Sequence, residues 1–210
     1  MIPQAAIFDL DDTLLNSKDH YVRNVHSVLL EMGIELPSER VLVGCTYLEM
    51  LKRTVAPGRE EDFLERYMVL VKSVPYILLP GAAEVLQELT CPKYLWTSRN
   101  RETFLIRAAQ SGLDLNLFQG IYTGDEVQYK KPDPRSLNEI LKDACGLGIT
   151  DPQKIICVSD APKDIEAALA RGLTPFAVLT GIYTRDEFPL TEQYILNSIK
   201  DLRKRLKELN

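Results

Sequence analysis

Ala5-Ala6-Ile7-Phe8-Asp9-Leu10-Asp11-Asp12-Thr13 joins an unbroken apolar run to three carboxylates within four positions. The apolar part reads as a strand, and the acids fall where it ends. Like charges so close repel, and a buried carboxylate must be paired, metal-bound or protonated to persist in a fold. A divalent cation is the simplest partner. Asp9 and Asp11, two apart on a strand that is just ending, would point the same way into one pocket at its carboxyl end. Two acids there can divide two jobs. An acidic turn capping the next helix is the plainer alternative, and it explains Asp12 and Thr13 better than it explains Asp9.

Outward from this strand the same pattern repeats. Strand-like runs at Lys93 to Thr97, Gly120 to Thr123, Lys154 to Ser159 and Thr174 to Leu179 alternate with helical segments. That alternation predicts an α/β fold, a Rossmann-like parallel sheet core flanked by helices. Asn100 caps a helix over Arg101 to Ser111 that Gly112 closes. A helix from Asp133 starts with Pro134, buries Leu137, Ile140, Leu141 and Ala144, and stops at Gly146. Ser198 caps a last helix whose Ile199, Leu202, Leu206 and Leu209 face inward. Its Arg203, Lys204, Arg205 and Lys207 alternate with Asp201 and Glu208, which reads as a solvated face.

Between Ser17 and Leu79 the strand signal vanishes. Val22, Val25, His26 and Leu29 run at helical spacing to Gly33, Thr46 and Glu49 form a capping box, and Phe63, Tyr67, Leu70, Val71 and Val74 mark another helix. Residues 1–16 and 80–210 are therefore expected to form the core, with 17–79 as an inserted α-helical cap domain. Pro80-Gly81 returns the chain to the core.

At 210 residues, 45% apolar and 26% charged, the chain can bury a sizeable core. A net charge of −5 argues against nucleic acid or a membrane surface as partner and requires a small anionic ligand to be recruited locally. Cys45, Cys91, Cys145 and Cys157 lie far apart; the aliphatic settings of Cys145 and Cys157 suggest core positions and a reducing cytoplasm. Neither a leader nor an apolar run of spanning length is legible, so a soluble, unprocessed protein is expected. Oligomeric state is not readable.

Four elements then fall in order. Asp9-Leu10-Asp11-Asp12-Thr13 follows a strand, Thr97 ends Tyr94-Leu95-Trp96, Lys131 heads Lys-Pro-Asp-Pro, and Ile155 to Asp164 is an apolar strand followed by Asp160 and Asp164. Together they resemble the four motifs of the haloacid dehalogenase superfamily, and the helical insert resembles the small cap of its phosphoglycolate phosphatase-like branch. The resemblance implies a Mg²⁺-dependent phosphatase acting on a small phosphorylated metabolite. Asp9 would attack phosphorus, forming an aspartyl phosphate, and Asp11 would serve as general acid and then base, a role needing its acidity weakened by its neighbours. Asp9, Asp160 and the Asp11 main-chain carbonyl would hold Mg²⁺. Thr97, Ser98 and Lys131 would hold phosphoryl oxygens, and Asp164 would orient Lys131 or a metal-bound water.

The chain departs from the family pattern in places. Ser159 and Ala161 flank Asp160 where Gly and a hydroxyl residue are usual. Thr97-Ser98-Arg99-Asn100 brings in an extra cation, so Arg99 either reads a second anionic group on the substrate or faces solvent. In the insert, His20, Tyr21, Arg23 and the Gly44-Cys45-Thr46-Tyr47 turn are specificity candidates, with packing or surface as the plainer role; His26 reads as a core histidine. Asp11 argues against carbon–halogen cleavage. A sugar phosphomutase of the same superfamily, kept open by His20, and a catalytically weak phosphate-binding protein are the alternatives.

Overall fold

The computed structural model describes residues 1–38, 41–42 and 47–209. The chain forms two compact units, Met1–Asn16 with Ile77–Asn210, and Ser17–Tyr76. The return to the first unit falls at Ile77, ahead of Pro80-Gly81, for a backbone reason. Asn16 N–H donates to Ile77 O at 3.0 Å and Leu79 N–H to Leu14 O at 2.8 Å, which joins the outgoing and incoming chain.

The inserted unit is helical: α1 (Ser17–Glu31), α2 (Tyr47–Thr54) and α3 (Glu60–Ser73). Val25, Val28 and Leu29 of α1 pack with Met50, Val55, Phe63 and Tyr67 in one apolar core. Gly33, at φ +68°, ends the first helix as expected of a left-handed terminator. His26 is half-buried, its Nε2 3.0 Å from Pro37 O. Residues 44–46 of the Gly44-Cys45-Thr46-Tyr47 turn, including Cys45 and the expected cap residue Thr46, lie outside the described residues.

The other unit is built on six parallel strands, β1 (Ala5–Phe8), β2 (Lys93–Trp96), β3 (Gly120–Tyr122), β4 (Ile155–Ser159), β5 (Thr174–Val178) and β6 (Ile195–Leu196), in the order β3-β2-β1-β4-β5-β6. Helices α4 (Ala82–Glu88), α5 (Arg101–Ser111), α6 (Asn138–Gly146), α7 (Pro162–Ala170) and α8 (Leu202–Glu208) complete it. This is the expected α/β, Rossmann-like fold. Alternating residues of each strand face opposite ways, so both faces carry a core. Ala6, Phe8, Leu95, Ile156 and Val158 pack with Val85, Phe104 and Leu202. Ala5, Ile7, Tyr94, Trp96 and Cys157 pack with Ile140, Ala144 and Ala168 on the other face.

Strand order reverses beside β1, and ligands of such sheets bind outside the carboxyl ends at that switch point. Register sets what meets there. Phe8 pairs with Leu95 on one side and Val158 on the other, so Asp9 follows β1 level with the ends of β2 and β4. Asp9 N–H continues the ladder to Val158 O at 3.0 Å.

Local differences from expectation have local causes. The segment from Pro134 begins as a 3₁₀ turn to Leu137, because the Asp133 carboxylate accepts the Arg135 N–H two residues on. Ser198 likewise caps a 3₁₀ turn before α8. Cys157 is buried, but Cys145 is exposed, rotated off the Ile140–Ala144 stripe that packs on the sheet. Among the described residues no helix is long and apolar enough to cross a membrane.

Candidate active site

Lys131 organises the site. Its ammonium donates to Asp9 Oδ1 and to Asp164 Oδ2, each at 2.6 Å, and its side chain is only 6% exposed. Nζ also lies 3.9 Å over the Trp96 ring, a cation–π contact from the end of β2. Burial opposes the lysine's charge, but Asp164 and Asp9 overcome it and hold its pKa well above the usual lysine range. Burial pushes Asp9 up to about 6, although Lys131 pulls the other way; Asp164 and Asp11 add repulsion. The bridge thus restrains the nucleophile candidate without fully offsetting its desolvation.

Asp164 sits in the first turn of α7, a helix opened by Pro162 at a position that needs no amide hydrogen. Ser159, ahead of Asp160, donates its hydroxyl to Asp164 Oδ2 at 3.0 Å and accepts the Ala161 N–H at 3.2 Å. A hydroxyl is therefore supplied from the strand side, where the family pattern expects it after the aspartate.

Asp160 is tied to the first motif through Thr13. The Thr13 hydroxyl oxygen accepts the Asp160 N–H at 3.1 Å and lies 3.4 Å from Asp160 Oδ1. The Asp12 main chain adopts φ +56°, and its carbonyl accepts the Thr180 hydroxyl. Gly181 follows, and a Cβ there would fall 2.0 Å from Asp160 Oδ2, so the carboxylate occupies the space a side chain would fill. Burial first, then the charges of Asp9, Asp12 and Asp164, drive the Asp160 pKa well above the usual carboxylate range.

This donor set fits a hard divalent cation. Asp9 and Asp164 share one ammonium, and burial disfavours the charged forms of Asp9 and the nearby Asp160 until a further cation offsets them. Among the described residues no three His, Cys, Asp or Glu side chains converge as a cage. An ion with few protein ligands, completed by water and a substrate oxygen, is the kind that Mg²⁺ chemistry favours.

Asp11 is contacted by two guanidinium groups. Arg99 forks onto it, Nε to Oδ2 at 2.7 Å and Nη2 to Oδ1 at 3.1 Å, while Arg107 Nη1 reaches Oδ1 at 2.6 Å. Two guanidinium groups stabilise a carboxylate. Thr97, at the end of β2, is buried, and its hydroxyl oxygen accepts the Arg99 N–H at 3.2 Å, which leaves the hydroxyl proton to donate. Ser98 is exposed on the following loop.

The structure therefore brings Asp9, Lys131 and Asp164 together by direct bonds, and the register places Asp160 beside them. Arg99 does not simply face solvent. His20 is buried in the helical unit, stacked on Tyr76 at 3.6 Å, with Nε2 2.7 Å from Val74 O and Nδ1 3.2 Å from Asn24 Nδ2. Packing, the plainer reading, is what these contacts describe. Tyr21 packs edge-on against Tyr67, and Arg23 is exposed. Sequence reasoning missed Arg107, Thr13 as a partner of Asp160, and Gly181. One signal for Arg107 existed: it occupies an apolar stripe position of α5 between Phe104 and Ala108, where an arginine needs a buried anion.

A parallel sheet that sets Asp9, just past β1, and Asp164, in the first turn of α7, on one buried lysine defines an α/β protein with an acidic site at the carboxyl end of its sheet. The family model for haloacid dehalogenase-like hydrolases matches residues 6–178, and the chain belongs to that family. A phosphoglycolate phosphatase from Xanthomonas campestris pv. campestris (strain 8004) is 30% identical over 203 residues, covering 91% of this chain and 90% of the relative. One from Xylella fastidiosa (strain Temecula1) is 28% identical over 205 residues, covering 91% and 86%. A Thermotoga maritima structure bearing a beta-phosphoglucomutase name superposes with TM-score 0.77 at 21% identity, covering 99% of this chain and all of the other. A CbbY variant from Rhodobacter sphaeroides, solved with xylulose-(1,5)bisphosphate, gives 0.69 at 21% identity over 95% and 96%. The enzyme class shared with the sequence relatives is phosphoric monoester hydrolase.

Proposed function

We propose that the chain hydrolyses a small phosphomonoester through an aspartyl phosphate on Asp9, with Mg²⁺ as cofactor. The observation that carries this reading is the Asp9–Lys131–Asp164 bridge at the carboxyl end of β1. Lys131 fixes one Asp9 oxygen, so the other is held ready for in-line attack rather than searching rotamers. An Asp9 oxygen attacks phosphorus as the ester P–O bond breaks, and Asp11 delivers a proton to the departing alkoxide. A water then attacks the same phosphorus, Asp11 takes its proton, and inorganic phosphate and the Asp9 carboxylate are regenerated. Mg²⁺, held by the Asp9 and Asp160 carboxylates and the Asp11 main-chain carbonyl, would neutralise the repulsion between carboxylate and phosphate dianion. Thr97, Ser98 and Lys131 hold phosphoryl oxygens.

Phosphoglycolate is the first substrate to test, on the names of the relatives alone. The helical unit is assigned the role of cap by its place in the chain between the first and second motifs. A reducing cytoplasm suits the free thiols of Cys91, Cys145 and Cys157. His20, the residue that kept a mutase reading open, is engaged inside its own unit. The test is phosphate release from a panel of phosphorylated metabolites and p-nitrophenyl phosphate, with Mg²⁺ or with chelator. Release that requires both Mg²⁺ and Asp9 supports the proposal. Isomerisation of a sugar phosphate without net phosphate release, or activity surviving in Asp9→Asn, refutes it.

A further inference from the structure

We propose that Trp96 is a positioning residue: its indole face holds the Lys131 ammonium beside Asp9 and Asp164 and keeps one of its N–H groups uncommitted for a phosphoryl oxygen of the substrate. The inference deepens the phosphatase reading above and rests on it. Its first support is the inventory of Lys131. An ammonium carries three N–H groups and no acceptor. One donates to Asp9 Oδ1 and one to Asp164 Oδ2, each at 2.6 Å, and among the described residues no third acceptor is bonded to it. The side chain is buried, and the Trp96 ring centroid lies 3.9 Å from Nζ, so the remaining N–H has a π face to meet.

The ring itself is firmly placed. Trp96 is buried and packs in one cluster with Ile7, Tyr94, Ile140 and Cys157. Its main chain closes β2 opposite Tyr122 of β3, and Thr97 N–H extends that ladder to Tyr122 O at 3.0 Å. Packing alone does not ask for an indole here. The Trp96 Nε1–H is buried with no hydrogen-bond partner among the described residues, and burying such a donor costs free energy that a phenyl ring or a leucine would not incur. What an indole adds over both is the best cation-binding face among the natural aromatic side chains. A side chain that buries an unpartnered donor and presents its face to a buried cation is accounted for by that face.

The contact suits a lysine that must both restrain the nucleophile and receive the substrate. A third carboxylate or carbonyl on Lys131 would compete with the phosphoryl oxygen for the last N–H. A π face attracts the charge but holds it more weakly than a charge-assisted hydrogen bond does, so the phosphoryl oxygen can take that N–H while the bonds to Asp9 and Asp164 stay in place. Trp96 touches the lysine and acts through it. Removing the face while keeping the bulk should therefore loosen Lys131 without disturbing the sheet.

Trp96 is the chain's single tryptophan, so growth on mono-, di- or trifluorotryptophan alters this ring and no other. Each added fluorine weakens the ring quadrupole with little change of shape. The full chain carrying each analogue is melted in chelator, as wild type and as Lys131→Met. In wild type the melting midpoint should fall stepwise, by roughly 2–4 °C for the trifluorinated ring, and in Lys131→Met that trend should vanish. Turnover of p-nitrophenyl phosphate with Mg²⁺ is read on the same wild-type series, where kcat/KM should fall stepwise by about 3- to 10-fold, a loss that packing alone does not produce. If Lys131→Met is too unstable to melt, Trp96→Phe against Trp96→Leu decides: the phenyl ring keeps a π face and should retain more kcat/KM. The same drift of midpoint in both backgrounds, a kcat/KM indifferent to fluorination, or a Trp96→Leu as active as Trp96→Phe overturns the inference while the phosphatase reading survives. Absence of phosphate release from every ester in unmodified wild type overturns that reading, and the positioning role falls with it.

Discussion

Replacing Lys131 by Met keeps the length and apolar stem of the side chain and deletes one charge. Its ammonium is buried with two carboxylates at 2.6 Å, and breaking such a pair from one side typically costs about 3–5 kcal/mol because the partner charges are left uncompensated. For a chain of this size each kcal/mol moves the melting midpoint by roughly 2–4 °C, so a fall of roughly 6–20 °C is expected at pH 8. The pH dependence follows from the neighbours. The folded pKa of Lys131 lies above its ordinary 10.5, so its stabilising contribution is full below that value and intact at pH 8. Asp9, in contrast, is pushed up to about 6 from 3.8, so the native state binds the extra proton and gains stability as pH falls through that window. Without Lys131 the opposing pull on Asp9 disappears and that window widens upward. The deficit of Lys131→Met should therefore be largest at pH 8 and shrink toward pH 5. Urea melts in chelator at both pH values measure it. A loss below about 1 kcal/mol at pH 8, the scale of an exposed ion pair, would show that the bridge is not the buried element described here.

Asp9→Asn should remain folded, and in chelator its stability relative to wild type should be greater at pH 8 than at pH 5 by about 1–3 kcal/mol, because the amide has no buried charge to desolvate; urea melts at the two pH values check the sign. Mg²⁺ at about a hundredfold excess over its dissociation constant should stabilise wild type by about 2–3 kcal/mol, and Asp160→Asn should remove that gain in a thermal melt. Gly181→Ala places a Cβ against Asp160 Oδ2 and should displace that carboxylate, costing about 1–3 kcal/mol and weakening the Mg²⁺-dependent shift. An unaltered Mg²⁺ titration in that variant would show that Asp160 has another resting place.

The sheet was legible because its strands β1 to β5 carry unbroken apolar runs with helical stripes between them, although the order in which they lie side by side is set only by the fold. β6 was not, since Ile195-Leu196 is too short to display a period. Asp9 and Asp160 were visible because each directly follows a strand, and Lys131 and Asp164 because each belongs to a recognisable motif in the loop or helix beyond one. Their coupling partners were less so. Arg107 lies 96 residues from Asp11, and Thr13 lies 147 from Asp160, so only the folded topology joins them. Thr13 had a sufficient explanation as a turn residue, and nothing local distinguishes Gly181 from an ordinary loop glycine. Arg99 and Arg107 reach Asp11 only through the fold, because two arginines on one carboxylate leave no spacing signal. The contacts of His20 with Tyr76 and Val74 inside the helical unit were likewise illegible, because they span more than fifty positions.

Asp9 as covalent nucleophile is the central claim, and trapping the intermediate tests it most directly. A turning-over enzyme quenched with borohydride converts an aspartyl phosphate to homoserine, which mass spectrometry of the proteolysed chain locates by residue. Homoserine at position 9, formed only with substrate and Mg²⁺ and increased when Asp11→Asn slows the second step, is the predicted result. Reduction at another residue, or phosphate release with no reducible acyl phosphate at Asp9, would contradict it.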